Sequence, residues 1–162
     1  MLTGIFTPTT CARCRLCCNF HRSTAWETPA LEPAAATLLR GLGVPLATRP
    51  NGALTFRLDF RTHDPEEVCN CPMLDTASGC RLPREQRPFE CRVWPLRVMR
   101  DTNGFLVIGC YDACPALTPD TRARLEQHAT GALLPELLRF AEENPLSVRE
   151  MDPAYTVIWR KE

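Results

Sequence analysis

Leu54, Phe56, Leu58 and Phe60 alternate with Thr55, Arg57 and Asp59, a period of two that predicts a half-buried strand. It forms the second arm of a hairpin predicted over 44–49 and 53–61, with Pro50-Asn51-Gly52 as the turn. A second hairpin is predicted over 93–100 and 105–111, around Asp101-Thr102-Asn103-Gly104. Pro95 predicts that the first strand of that hairpin lies at a sheet edge. Between the hairpins, 69–91 has no periodicity and predicts irregular structure.

Elsewhere the spacing is helical. Thr28 before Pro29 predicts a helix start, with Ala34, Ala35, Leu38 and Leu39 along the helix and a stop near Gly41 or Gly43. Thr118 predicts a cap for a helix that opens at Pro119 and ends near Thr130. Another helix is predicted over 134–143; Leu125, Leu133, Leu134, Leu137, Leu138 and Phe140 make this pair amphipathic. A short final strand is predicted over 155–160. The expected class is α+β: a small irregular domain with two β-hairpins and three to four helices, the stretch 118–145 serving as a helical cover.

A chain of 162 residues fits one domain, 1–162, with enough core to fold unaided. Formal charge is zero, so no global basic field points to nucleic acid. No apolar run is long enough to span a bilayer, and the first residues lack the basic and apolar regions of a signal peptide. The expectation is a cytoplasmic protein with reduced thiols and no membrane partner. Nothing in the sequence indicates an oligomer.

The chemistry is concentrated in ten cysteines. Cys11, Cys14, Cys17 and Cys18 read C-A-R-C-R-L-C-C. Disulfides within so short a stretch close small loops and gain little, so the spacing points to metal. On a helix, positions i, i+3 and i+6 fan out at about 100° per residue, so the segment is expected to be a loop around its ligand. In an extended loop the adjacent Cys17 and Cys18 point to different sides. Three cysteines at two-residue gaps suit a cubane iron–sulfur cluster, with the fourth thiolate supplied from a distance, often by a Cys-Pro. Cys71-Pro72 and Cys114-Pro115 are such pairs. Zinc is the alternative occupant.

With the second cysteine zone included, the chain resembles the YkgJ-type cysteine-cluster family, described as zinc- or iron-chelating. The resemblance is carried by C-x-x-C-x-x-C-C at 11–18, by Cys71-Pro72-Met73-Leu74, by Gly79-Cys80, and by Arg87-Pro88-Phe89-Glu90-Cys91-Arg92 with Pro95. It covers residues 11–95, about half the chain. Pro83 stands where the family often has tyrosine. The resemblance implies a metal-centred domain with cysteine-rich loops around the site. It implies ligands among Cys11, Cys14, Cys17 or Cys18, Cys71, Cys80 and Cys91. The family includes the larger flagellin lysine N-methylases, thought to carry an iron–sulfur cluster, so a small methyltransferase-like metalloenzyme is an alternative to a structural or electron-moving centre that serves a partner protein.

Arginines surround the second zone: Arg81, Arg84, Arg87, Arg92, Arg97 and Arg100 are opposed only by Glu85 and Glu90. They would offset the negative charge of a thiolate-bound metal. Arg87 and Arg92 are the candidate cofactor-binding residues, expected to hydrogen-bond sulfurs or carboxylates. Cys69, Cys110 and Cys114 are weaker ligand candidates. His21, His63 and His128 are expected to be ordinary loop or helix residues, and Glu66-Glu67 solvated surface. No phosphate loop, nucleophile elbow or His-Glu-x-x-His helix is present in the sequence.

Overall fold

The dipeptide Glu32-Pro33 decides where the first long helix begins. A residue before proline is kept out of the α region, and Glu32 sits at φ −63°, ψ 156°, so the helix spans Pro33–Gly41. It therefore starts later than Thr28-Pro29 suggests. Residues 28–32 form an extended strap whose backbone groups find other partners. Leu31 N donates to Leu54 O at 2.9 Å, and Pro29 O accepts from Thr55 Oγ1 at 2.8 Å.

The computed structural model describes residues 2, 4–6 and 14–161. Their contacts divide the chain into two compact units: 11–92, and 1–10 with 93–162. In unit 11–92 three antiparallel two-stranded ribbons accompany the helix. β1 (Asn19–His21) pairs with β4 (Val68–Asn70), β2 (Leu46–Thr48) with β3 (Leu54–Phe56), and β5 (Leu74–Asp75) with β6 (Gly79–Cys80). The predicted hairpin over 44–61 is present but shorter. Leu46 faces Phe56 at the end of its ladder, and Pro45, which has no N–H, can only accept from Arg57 N at 3.0 Å. The core of this unit gathers Phe20, Leu31, Ala36, Leu39, Val44, Phe56, Cys71, Met73 and Leu82, with Cys18 and Cys80 packed against it. Both zones predicted to be irregular cysteine loops thus contribute to one apolar cluster.

The second unit is built on a four-stranded sheet in the order β10 (Tyr155–Arg160), β8 (Leu106–Tyr111), β7 (Leu96–Arg100), β9 (Arg149–Glu150). The predicted hairpin is β7–β8. β7 is an inner strand, not the edge strand predicted from Pro95. The proline precedes the strand, so its missing N–H costs no ladder bond, and β9 adds in parallel on the far side. The helices Pro119–Thr130 and Leu134–Glu143 fall where predicted. Thr118 caps the first reciprocally: its Oγ1 accepts from Thr121 N at 3.2 Å, and Thr121 Oγ1 accepts from Thr118 N at 2.8 Å. Leu125 and Leu137, buried on these helices, join Leu96, Met99 and Ile108 in the buried core. The fold class is α+β with several small sheets. Among the described residues no helix is long and apolar enough to cross a membrane.

Gly109 is required by a close approach. A Cβ there would stand 3.0 Å from Tyr155 Cβ and 3.2 Å from Met99 Sδ. Gly109→Ala should therefore cost about 1–3 kcal/mol by overpacking, read as a lower urea midpoint. An acid-sensitive clip lies nearby. Arg122 Nη1 donates to Asp112 Oδ1 at 2.7 Å and Thr156 Oγ1 donates to Asp112 Oδ2 at 2.7 Å. The Arg122 hydrogen bond, opposed by slight burial and helped by Thr156, holds the Asp112 carboxyl below its ordinary value. A carboxylate so depressed adds stability above the unfolded-state pKa of about 3.9 and loses it as pH falls through the folded value. Asp112→Asn should flatten the acid limb of the stability–pH profile; an unchanged limb would rule the clip out.

Candidate metal centre

The β1–β4 ribbon brings Cys18 and Cys71 together. Asn19 pairs with Asn70, so the next rung brings Cys18 opposite Cys71, and Cys71 N donates to Cys18 O at 2.7 Å. Opposed residues of an antiparallel pair share a face. Three residues on, Leu74 N donates to Cys71 O at 2.9 Å, and Leu74 pairs with Cys80 across β5–β6. Cys91 arrives on a separate helical turn, Phe89–Arg92. That turn is fastened to the strap 28–32 from both sides. Ala30 N donates to Glu90 Oε2 at 2.6 Å, and Phe89 N donates to the Glu32 carboxylate at 3.1 and 3.3 Å.

Cys14 is helical, Arg15 takes a left-handed φ of 54°, and Leu16–Cys18 wind into a 3-10 turn. The expectation of an extended loop at 17–18 is thus corrected. The turn brings the two sulfurs within 3.9 Å of each other, whereas extended backbone would send them to opposite sides. Cys11, Ala12 and Arg13 lie outside the described residues.

Electrostatics ties four of these thiols together. Burial comes first in pushing the Cys71 thiol up to about 12, and the charges of Cys18 and Cys80 push the same way. Cys91 keeps some residue surface at solvent, yet burial of its thiol, then the charges of Cys71, Cys18 and Cys80, drive it well above the ordinary value. Cys18 moves the other way. Its hydrogen bond with Cys17 lowers it, burial opposes, and the Arg87 guanidinium adds to the lowering. Cys18, Cys71 and Cys80, on three separate chain segments, thus all act on the Cys91 thiol. Cys14, Cys18, Cys69, Cys71, Cys80, Cys91 and Cys110 are free thiols.

The donor chemistry fits a soft metal: thiolates select zinc and iron–sulfur centres, and buried thiolates that repel one another gain most from a shared cation. The geometry is gathered rather than closed. Among the described residues no group of three or more His, Cys, Asp or Glu side chains stands as a ready-made metal site.

The remaining candidates sort by location. Cys69, opposite Phe20, donates its thiol to Asn70 O at 3.7 Å. Cys110 and Cys114 are buried in the other unit, where burial first pushes Cys110 up to about 11. The arginine group predicted over 81–100 divides. Arg97 is buried in the other unit, donating to Tyr155 Oη at 2.9 Å and lying over Trp94, and Arg100 Nη1 donates to Gly104 O at 2.8 Å. Arg87 Nε donates to Leu82 O at 3.1 Å. Arg92 lies over the Phe89 ring, its Cζ 5.3 Å from the centroid. Neither Arg87 nor Arg92 hydrogen-bonds a sulfur among the described residues. His21 Nδ1 sits 3.2 Å from Glu66 O. Glu67 is more than solvated surface: its carboxylate accepts from Arg61 N at 2.5 Å and Thr62 N at 2.7 Å, closing the loop before β4. The Glu32 and Glu90 clamps escape sequence reasoning because no periodicity marks a carboxylate that serves a distant backbone N–H. Compared with family models, curated proteins and solved structures, the chain matches none.

Proposed function

We propose that unit 11–92 binds a polythiolate metal centre, an iron–sulfur cluster of the four-iron type, held by Cys18, Cys71, Cys80 and Cys91 with Cys11, Cys14 and Cys17 as further candidate ligands. The observation that carries this reading is the mutual influence of Cys18, Cys71 and Cys80 on the Cys91 thiol inside one unit. Each buried thiol raises the cost of ionising the next, and a shared cation removes that cost. The dense spacing at 11–18 and the YkgJ-type resemblance support iron–sulfur. A four-sulfur set is also the donor set of structural zinc, and zinc is the second reading. When bound, an iron–sulfur centre supplies one-electron chemistry and zinc supplies a cross-link. The residues of the chain gather the thiols through the β1–β4 ribbon, fasten Cys91 through Glu32 and Glu90, and bring the Arg87 charge to Cys18.

Ligation must displace protons from Cys71 and Cys91, which are held in the thiol form at neutral pH. Titrating the reduced, metal-free chain with zinc in weak buffer should therefore release protons in step with uptake. Metal uptake with no proton release would contradict thiol ligation at these positions. Visible absorption of protein purified without oxygen separates the two readings, because zinc thiolates are colourless.

A further inference from the structure

The helix Pro119–Thr130 carries Arg124, Gln127 and His128 at i, i+3 and i+4, neighbours on one face. That face borders a solvent-open cleft of about 560 Å³, within the size range of small-molecule sites. The facing wall is the turn at the start of the chain. Ile5 N and Phe6 N both donate to Leu2 O, at 3.2 and 3.4 Å. Leu2 and Phe6 are buried, so the turn is anchored on both sides of Gly4 and Ile5, which line the cleft. Arg124 Nη2 fastens this wall by donating to Gly4 O at 2.6 Å. All of these residues belong to the unit 1–10 with 93–162, so the cleft is independent of the metal-centre reading.

The cleft holds an unmet hydrogen bond. His128 lines it, and His128 Nε2 is buried with no partner among the described residues. A buried polar nitrogen left unpaired is unfavourable, and a ligand entering the cleft can supply the partner. The charge at this place is positive. Arg124 Nη1 stands 3.8 Å from Asp120 Oδ2 in an exposed pair that holds the guanidinium only loosely. Glu126 is turned to Arg122 Nε at 2.8 Å, and no acid is among the described residues that line the cleft. Ile5 and Ala132 add apolar surface. An inorganic anion would leave that surface unused, and an uncharged chain would leave the guanidinium unused.

We propose that this cleft binds a small organic monocarboxylate. A carboxylate oxygen accepts from His128 Nε2–H, the Arg124 guanidinium supplies the opposite charge, and the carbon tail lies against Ile5 and Ala132.

The test is proton NMR of the full chain, whose three histidines let the ring resonances of His128 be followed singly. Titration with sodium hexanoate, at constant ionic strength set by chloride, should move the His128 ring resonances to a plateau and leave those of His21 and His63 in place. Acetate, which lacks the tail, and hexanamide, which lacks the charge, should each bind about tenfold more weakly. His128→Phe keeps a ring and removes the N–H. It should weaken hexanoate about tenfold, read at the backbone amide resonances of Gly131 and Ala132. Should that variant fail to fold, Ala132→Trp, a substitution at an exposed position, should obstruct the cleft and weaken binding by a similar factor. The absence of a plateau with hexanoate would overturn the proposal. So would acetate or inorganic phosphate binding as tightly as hexanoate, or hexanoate binding that both variants retain in full.

Discussion

Cys71→Ser is expected to empty the metal centre. Cys71 has its backbone on Cys18 and its thiol within reach of the charges of Cys18, Cys80 and Cys91. Losing a central ligand should cost more than the roughly 10–100-fold that changes in outer-layer partners of metal sites typically cost. It should also remove the stabilisation that metal confers, about 2.7 kcal/mol where free metal stands a hundredfold above Kd. Thermal melting with and without metal reads this directly. The parent chain should melt higher when loaded, and Cys71→Ser should melt alike in both conditions. Cys71 lies in the apolar cluster, so the buried serine hydroxyl should also lower the metal-free melting point, and the difference between loaded and metal-free melting is the readout. A variant that holds its full metal content would remove Cys71 from the ligand set.

Leu39→Ala is the second large effect. Leu39 is fully buried on the helix Pro33–Gly41, in the cluster that also holds Cys71 and packs against Cys18 and Cys80. Truncation should cost about 2–5 kcal/mol through lost burial and the cavity left behind. The same cluster positions the sulfurs, so metal affinity should fall with stability, and saturating metal should recover part of the loss by mass action. Urea unfolding with and without zinc measures both. A full stability loss with unchanged metal affinity would mean that the apolar cluster and the thiols are independent.

The two units differ in how far the sequence revealed them. Thr118, Pro119 and the leucines of 125–137 announce the helix pair because a cap, a first-turn proline and an apolar side are local signals. The β7–β8 hairpin is equally local, set by Asp101 to Gly104. The helix at 33–41 was legible in kind but not in its start. Thr28-Pro29 and Glu32-Pro33 offer competing openings, and the strap's bonds to Leu54 and Thr55 favour the second. β1, β4, β5 and β6 are two or three residues long, too short for alternation to register, and only long-range pairing brings them into being. They are also the elements that join Cys18 to Cys71 and Cys80. The cysteines could therefore be chosen by spacing and resemblance, while the means of gathering them could not. The 3-10 turn that draws Cys17 and Cys18 together follows a left-handed arginine, a conformation no propensity favours for Arg15.

The central claim is that thiols from distant segments of unit 11–92 share one inorganic centre. Iron, zinc and acid-labile sulfide content per chain, determined on protein purified without oxygen, tests it most directly. The account predicts about one centre per chain, with iron and sulfide in equal amounts, or zinc without sulfide under the second reading. A folded chain that carries neither metal, takes up neither when supplied, and leaves all ten thiols open to alkylation would contradict it.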